Sequence, residues 1–437
     1  MRKNNLPVQI KWHPQKNSKL PLYQQIINFI CDKITCGEWT VGTRLPTQRQ
    51  MAESFNVNRS TIVTAMEELA SYGIITGSRR SGTEIISNTW SLILSKSLDW
   101  GKYVDSGTFK ANKRIIQMIN RLEFEPGMSR LSTGEVDPRL FPSEMWNKIL
   151  LKLSKKNITF NYLEAAGLLS LRCSIARHLQ KQGIIASPAN ILITSGSLQA
   201  LQLISVCLLK SSSIVYAEAP SYLQSLQVFQ SSGIALKGIS MDKNGIEFWK
   251  LPALSKNINQ EYISFLYILP TNHNPTGITM SAKRRRDLID FCANSQLPII
   301  EDAAYQELYL DGQVPQPLKA LDKNGIVIYI GTASKTLAPG LRIGWLIAPE
   351  PVIQRLSDVK MQMDYGTSSI SQFIFAEFLD SGLYDEHLAE LKKHLIMRRN
   401  NALSVLQKYF HDIAFWNVPS GGFYIWLTFR KKLPWEK

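Results

Sequence analysis

Cysteine is scarce in this chain, and the five present (Cys31, Cys36, Cys173, Cys207 and Cys292) are odd in number and without paired metal-ligand spacing. This argues against a disulfide framework and against a thiolate metal site, even though Cys31 and Cys36 are spaced to approach each other around a helix end. Reduced thiols in a cytoplasm are expected, with no metal. Histidine is equally thin: six are scattered along the sequence, and no two are spaced His-x-x-x-His. No stretch nears the roughly 18 uninterrupted apolar residues of a membrane span, and no apolar signal core follows Met1-Arg2-Lys3-Asn4-Asn5. No membrane association is expected. Acidic residues are in deficit too, 35 against 50 Lys and Arg, for a formal charge of +15. Residues 1–86 hold 11 basic and 6 acidic residues, so most of the excess lies elsewhere. The basicity is spread out, and it permits nucleic acid without establishing it. What the chain does have is apolar content, 44% of 437 residues, enough for two or three domains with buried cores.

In the first 86 residues, Leu22, Ile26, Ile27, Ile30 and Ile34 recur at helical spacing, and Gly37 stops that helix. Thr47 with Gln50 three residues on forms a capping box for a short helix through Phe55. Asn58 is placed to cap a third helix, Arg59 to Tyr72, with Gly73 ending it. There Ile62, Met66 and Leu69 make a buried stripe, while Arg59, Ser60, Thr61 and Thr64 project elsewhere, as donors that enter a DNA major groove do. Ile74-Ile75 and Thr83 to Ile86 read as strands of a hairpin whose tip, Thr76 to Gly82, contains Arg79 and Arg80.

Three helices and a basic hairpin make a winged helix-turn-helix. Over about residues 20–86 the chain resembles the GntR family of bacterial regulators, through Pro21-Leu22-Tyr23, Gly37, Gly42, Leu45-Pro46-Thr47-Gln48-Arg49 and Ser81-Gly82-Thr83. The resemblance implies double-stranded operator DNA as partner, with Arg49, Arg59, Ser60, Thr61 and Thr64 at the DNA and Gly82 letting the wing backbone approach a minor groove. A small accessory domain with merely solvated arginines is the plainer reading. Residues 87–127 mix Lys, Ser and Asp with apolar residues and show no sustained period, so a linker with one short helix is expected between domains 1–86 and 128–437.

From about Leu131, apolar runs alternate with amphipathic helices: Ile191–Ile193, Ser213–Tyr216, Ile263–Tyr267, Leu297–Ile300 and Val327–Ile330. That repetition predicts an α/β domain with a mostly parallel central sheet, whose ligand crevice lies at the carboxyl ends of the strands. Polar groups gather there. Ser195-Gly196-Ser197 opens a helix and offers a phosphate its backbone N–H groups. Tyr222 is able to stack on a flat ring, and Asn274, before Pro275, presents its amide in a turn. Asp302 is suited to hold a pyridinium nitrogen protonated, and Tyr305 to donate to a phenolic oxygen. Lys335 supplies an amine for a Schiff base, with Ser334 and Arg342 suited to a phosphate dianion. Singly, each of these is ordinary: most lysines are solvated, and Ser-Gly and Asn-Pro turns are common punctuation. Together, and in this order, they specify one chemistry.

Over about residues 131–430 the chain resembles the fold-type I aminotransferases that use pyridoxal 5′-phosphate. The resemblance implies Lys335 as the Schiff-base lysine, Asp302 on the ring nitrogen, Asn274 and Tyr305 on the ring oxygen and Tyr222 stacked on the ring. Around the phosphate it implies Ser195, Gly196, Ser197, Ser334 and Arg342. Tyr162, five residues before Gly167, matches a tyrosine that reaches the phosphate of a neighbouring subunit, so a homodimer is expected. A GntR-type winged helix followed by this domain resembles the MocR subfamily of transcription regulators. Beyond Pro419-Ser420-Gly421-Gly422-Phe423-Tyr424 the family continues through further strands and an arginine that grips a substrate carboxylate. Here only Arg430, Lys431 and Lys432 follow nearby, so amino-acid recognition and a covered sheet edge are both in question.

The expected function is a cytoplasmic DNA-binding transcription regulator that senses pyridoxal phosphate and a small amine or amino acid. The other readings are a working aminotransferase with an accessory DNA-binding domain, and a DNA-binding protein whose cofactor domain is inert.

Overall fold

The computed structural model describes residues 7–8, 10, 12–15, 17–78, 82–87, 103, 106, 114–123, 125, 127–128, 130–131, 133–158, 160–252 and 263–431. The chain forms two compact units, Met1–Ser106 and Gly107–Lys437.

The first unit contains α1 (Leu22–Thr35), β1 (Arg44–Leu45), α2 (Gln48–Phe55), α3 (Arg59–Ser71), β2 (Ile75–Ser78) and β3 (Gly82–Ile85). The helix spacing read from the sequence gives α1 its inward face of Ile26, Ile27, Ile30 and Ile34, and Gly37 follows its end with φ +76°. Both halves of the Thr47–Gln50 capping box form, which satisfies donors that a helix start otherwise leaves open. Asn58 occupies the N-cap of α3, but its side chain makes no capping bond there. Ile62, Ala65, Met66 and Leu69 turn inward against Met51 and Phe55, and Trp12 stacks on Phe29 with ring centroids 4.5 Å apart. Burial of side chains this size contributes about 1.5–3 kcal/mol each, which allows so small a unit its own core. The sheet runs β1-β3-β2, all antiparallel. The hairpin departs from the sequence reading. Thr76, Gly77 and Ser78, expected in the tip, continue the ladder, and Gly82 pairs with Ser78, because pairing extends wherever the backbone still has a partner. Arg79, Arg80 and Ser81 lie outside the described residues, as does most of the expected linker.

The second unit opens with α4 (Arg114–Leu122), the short helix expected in the connecting stretch, followed by α5 (Ser143–Ser154) and α6 (Leu169–Gln180). Then come β4 (Ile191–Thr194), α7 (Ser197–Leu208), β5 (Ile214–Ala219), α8 (Leu223–Ser231), β6 (Ala235–Asp242), β7 (Gly245–Ile246) and β8 (Ser264–Ile268). After these follow α9 (Ala282–Asn294), β9 (Ile299–Asp302), α10 (Leu318–Leu321), β10 (Val327–Thr332) and β11 (Gly344–Ile347). The unit ends with α11 (Glu350–Asp364), α12 (Ser369–Asp380), α13 (Leu383–Tyr409), β12 (Ala414–Trp416) and β13 (Leu427–Phe429).

Eight strands form the central sheet in the order β4-β11-β10-β9-β8-β5-β6-β7. Strands β10, β9, β8, β5 and β6 pair in parallel. Side-chain alternation divides the strands between two cores. Val215, Ala217, Phe265, Tyr267 and Ile300 join one cluster; Tyr216, Leu266, Ile268 and Ile299 join another with Leu288, Ile289 and Cys292 of α9. With both faces covered, the central strands are buried throughout, hence their near-continuous apolar sequence. Strand β11 was not foreseen: Gly344 to Ile347 reads as the tail of the Lys335 loop, but it inserts antiparallel between β4 and β10. Gly331 opposite Trp345 makes room for it, since a Cβ there would lie 2.3 Å from the indole ring.

Candidate cofactor site and DNA-binding face

The parallel strands deliver their polar residues to one end of the sheet. At the end of β9, alternation sends two consecutive carboxylates to opposite faces. Glu301 accepts from the backbone N–H groups of Leu318 and Lys319, 2.8 Å each, and so fixes the start of α10. Burial raises its pKa to about 7 against the opposing pull of the Arg285 charge and those N–H groups. Asp302 instead accepts from the Tyr267 hydroxyl at 2.8 Å and from the Ala304 N–H at 3.1 Å. Burial pushes its pKa up, while those two donors and the Lys335 charge pull it back. Asp302 is therefore the carboxylate on the lysine side of the sheet.

Lys335 is half-buried in the loop after β10 and donates to the carbonyl of Gly134 at 2.7 Å. Desolvation lowers its pKa against the charges of Glu135, Asp302 and Glu123, which favours the neutral, nucleophilic amine. Asn274, in the turn after β8, donates to the hydroxyls of Tyr424 (3.2 Å) and Tyr305 (3.4 Å), and those two hydroxyls lie 3.4 Å apart. Burial raises Tyr305 well above a normal phenol, so it stays a neutral donor. Tyr222, the N-cap residue of α8, is also raised by burial, then by Tyr424 and Asp302, which places it in the same group.

On the other side of the lysine, Ser197 opens the twelve-residue helix α7, preceded by Gly196 at φ +95°. Arg342 donates to the Ser195 carbonyl at 2.7 Å, and the Ser334 hydroxyl lies 3.0 Å from that of Thr332 at the end of β10. The Ser195 N–H is already engaged by the Gln199 side chain at 2.7 Å, which leaves its hydroxyl and the first turn of α7 as the donors. Ten of the eleven expected cofactor residues thus come together at one sheet end. Tyr162 does not join them: it is 83% exposed, its ring 4.6 Å from that of Tyr365, in a 670 Å³ cleft also lined by Asp364 and Thr367. Thr367 in turn lies 3.4 Å from the Ser195 hydroxyl.

The donor set suits a phosphorylated pyridine aldehyde: an amine, a carboxylate, two hydroxyl donors flanking an amide, and a helix start with an arginine beside it. Gly196 supplies the close approach, because a Cβ there would lie 2.7 Å from the Arg342 guanidinium. Three contributors escaped the sequence reading. Tyr267 is hidden in a largely apolar strand, Ser264–Ile268. Gly134 is in a loop that carries no motif of its own. Tyr424 belongs to the Ser420–Tyr424 run, which was noted only as a landmark. His273, next to Asn274, is buried with Nε2 3.2 Å from Glu218 and Nδ1 2.8 Å from the Thr276 hydroxyl.

In the first unit, Arg49, Arg59, Ser60 and Thr64 are exposed and Thr61 is half-exposed. Arg49 lies 3.3 Å from Glu53 one turn along α2, a pair open to solvent and easily exchanged for a phosphate or base. The Thr64 hydroxyl bonds back to the Ser60 carbonyl at 3.1 Å. Gly82 lies in the β3 ladder.

Fold and site define a winged-helix DNA-binding protein joined to a pyridoxal-phosphate-type aminotransferase domain. Residues 22–85 match the family of bacterial regulatory proteins, gntR family, and residues 127–435 match aminotransferase class I and II. The chain belongs to the GntR-type transcription regulators that carry an aminotransferase class I and II domain, a domain order consistent with the MocR type of fusion, and its helix-turn-helix domain is of the DNA-binding kind. It is 47% identical over 425 residues to the HTH-type transcriptional regulator YisV of Bacillus subtilis, covering 97% of this chain and 87% of that one. With the HTH-type transcriptional regulator NorG of Staphylococcus aureus it shares 34% over 402 residues, 89% of this chain and 86% of that one. Among solved structures it is similar to the kynurenine aminotransferase of Pyrococcus horikoshii, solved with PMP (TM-score 0.69, 32% identity, 74% of this chain and 81% of that one). It is also similar to LysN, an α-aminoadipate aminotransferase of Thermus thermophilus solved with N-(5'-phosphopyridoxyl)-L-leucine (TM-score 0.68, 27% identity, 78% and 85%). Pyridoxal 5′-phosphate, the cofactor expected from the sequence, is the one this family and fold take. No helix among the described residues is long and apolar enough to cross a membrane.

Proposed function

We propose that this protein is a cytoplasmic transcription regulator in which residues 128–437 hold pyridoxal 5′-phosphate, residues 1–86 hold operator DNA, and residues 87–127 connect them. The observation that carries this reading is the meeting of Lys335, Asp302, Asn274, Tyr305 and Tyr222 at one sheet end of a chain that also folds a winged helix. When bound, the cofactor supplies an electrophilic carbon and an electron-withdrawing ring. Lys335 is the residue that attaches it, and Asp302 holds a proton at the ring nitrogen. Asn274 and Tyr305 bond the ring oxygen, Tyr222 covers the ring face, and Ser195, Gly196, Ser197, Ser334 and Arg342 bind the phosphate. A small amine or amino acid that enters the site beside Lys335 would be the effector. It alters transcription to the extent that it favours one DNA-binding arrangement over another. Tyr162 serves a neighbouring copy in a homodimer, a role supported by its exposure and by the Thr367 link between its cleft and Ser195.

The test is an absorbance titration of the full-length protein with pyridoxal 5′-phosphate, then borohydride trapping and peptide mapping. A pyridoxyl adduct on the Lys335 peptide is expected. Lys335→Ala loses the absorbance change and the adduct but keeps nonspecific DNA affinity, and a variant that retains both overturns the assignment. A working aminotransferase is the second reading, favoured by the lowered Lys335 pKa beside an intact Asp302. Rapid conversion of an amino donor with appearance of the pyridoxamine form identifies that reading; a persistent adduct with the amine identifies a sensor.

A further inference from the structure

Tyr267 occupies a central strand between Leu266 and Ile268, a position that asks only for an apolar side chain, and it is fully buried. Its ring packs against Phe229, centroids 5.8 Å apart. A buried phenol needs a partner for its hydroxyl, and many acceptors would serve. Here the acceptor is Asp302 Oδ2, at 2.8 Å, while Asp302 Oδ1 takes the Ala304 N–H at 3.1 Å. Each oxygen of the carboxylate is therefore fixed by one donor. Ser225, which is 1% exposed and lies three residues into α8 from Tyr222, is a polar neighbour of the Tyr267 hydroxyl. A buried chain thus runs Ser225 to Tyr267 to Asp302, from the helix that begins with the ring-covering tyrosine to the carboxylate that meets the ring nitrogen.

Removed from water, a carboxylate tends to take up a proton, and donors aimed at its oxygens oppose this. We propose that Tyr267 and Ser225 are positioning residues that keep Asp302 an oriented carboxylate, so that the ring nitrogen of a bound pyridoxal group stays protonated; this rests on the reading above that such a group binds at Lys335. Together they decide whether the site holds an activated cofactor ring or an inert one.

The experiment uses full-length protein loaded with pyridoxal 5′-phosphate carrying an isotope-labelled ring nitrogen, read by nitrogen NMR in the wild type, Tyr267→Phe and Ser225→Ala. Asp302→Asn supplies the reference for a ring without its counter-charge. The wild type is expected to show a pyridinium resonance. Tyr267→Phe moves it toward the Asp302→Asn value and weakens cofactor retention roughly tenfold, the loss of one hydrogen bond to a charged group. Ser225→Ala shifts the resonance in the same direction by less, and because it removes only the far end of the chain it serves should Tyr267→Phe fail to fold. Folded variants with the wild-type resonance and retention overturn the role of Tyr267 while leaving the cofactor reading intact. A wild type without a borohydride-trapped adduct on the Lys335 peptide overturns both.

Discussion

Arg342 donates to the Ser195 carbonyl at 2.7 Å, tying the loop after Lys335 to the turn that starts α7. Between the two stands Gly196, at φ +95° and ψ 168°, a backbone region that side-chain-bearing residues essentially do not enter. Replacement by alanine meets both that strain and the Arg342 guanidinium. Gly196→Ala is expected to cost about 1–3 kcal/mol of stability and to weaken pyridoxal 5′-phosphate binding by at least tenfold, as read by thermal unfolding and absorbance titration.

Gly134 constrains the site by space as well as through its carbonyl, which accepts from Lys335. A Cβ added there would lie 2.2 Å from the Tyr424 hydroxyl and 3.1 Å from that of Tyr305. Gly134→Ala is expected to displace Tyr424, break its contact with Asn274 and shift the absorption band of the bound cofactor. Adding Tyr424→Phe removes the nearest clashing atom, so the double variant recovers part of the loss. Purely additive effects in the double-mutant cycle would count against the steric account.

His178 bonds to Glu307 at 2.6 Å, and Glu307 accepts from Tyr384 at 2.7 Å, which joins α6 to α13. Burial lowers the His178 pKa, but the charge and hydrogen bond of Glu307 and the charge of Asp385 outweigh it, and the net shift is upward from 6.5. Glu307 is pushed up by burial and pulled below 4.5 overall by His178 and Tyr384. The histidine's contribution is therefore fully present below pH 6.5 and fades as pH rises through its raised folded value. The glutamate's is present above 4.5 and fades as pH falls through its lowered one. Denaturation midpoints across pH are expected to peak between those limits, and His178→Gln to flatten the alkaline side. An unchanged alkaline slope in that variant would place the titration elsewhere.

Arg49→Ala and Arg59→Ala are each expected to weaken binding to a selected duplex by roughly 1–3 kcal/mol where the contact is to a base. Arg49 gives up only a solvent-exposed partner, Glu53, so its loss costs the fold little. Affinities measured at one salt concentration check this, and wild-type binding by both variants would move the DNA face elsewhere.

Much of this was legible beforehand, where the signal is local. The Thr47–Gln50 box and the apolar stripe of α3 depend on residues within a turn or two of each other, and both formed as read. Strand ends were legible because buried parallel strands are continuous apolar runs, so Asp302 and Lys335 stood out among the polar groups that follow them. Strand β11 was hidden because four residues after a loop carry no period, and its place between β4 and β10 depends on partners about 15 and 150 residues away in sequence, as register pairs with Tyr329–Thr332 and Ile191–Thr194 show. Tyr267 was hidden because aromatics are ordinary in strands, and only the neighbouring strand reveals what its hydroxyl meets.

Sequence alone determined which chemical groups this protein has and in what order they leave the sheet, because hydrophobic alternation, caps and glycine turns act over a few residues. Tertiary structure decided which of them face one another. It sent Glu301 to the start of α10 and Asp302 to the lysine, aimed Tyr267 at that aspartate, and set Tyr162 on the surface, since such pairings arise only when distant strands come into register and exclude water between them.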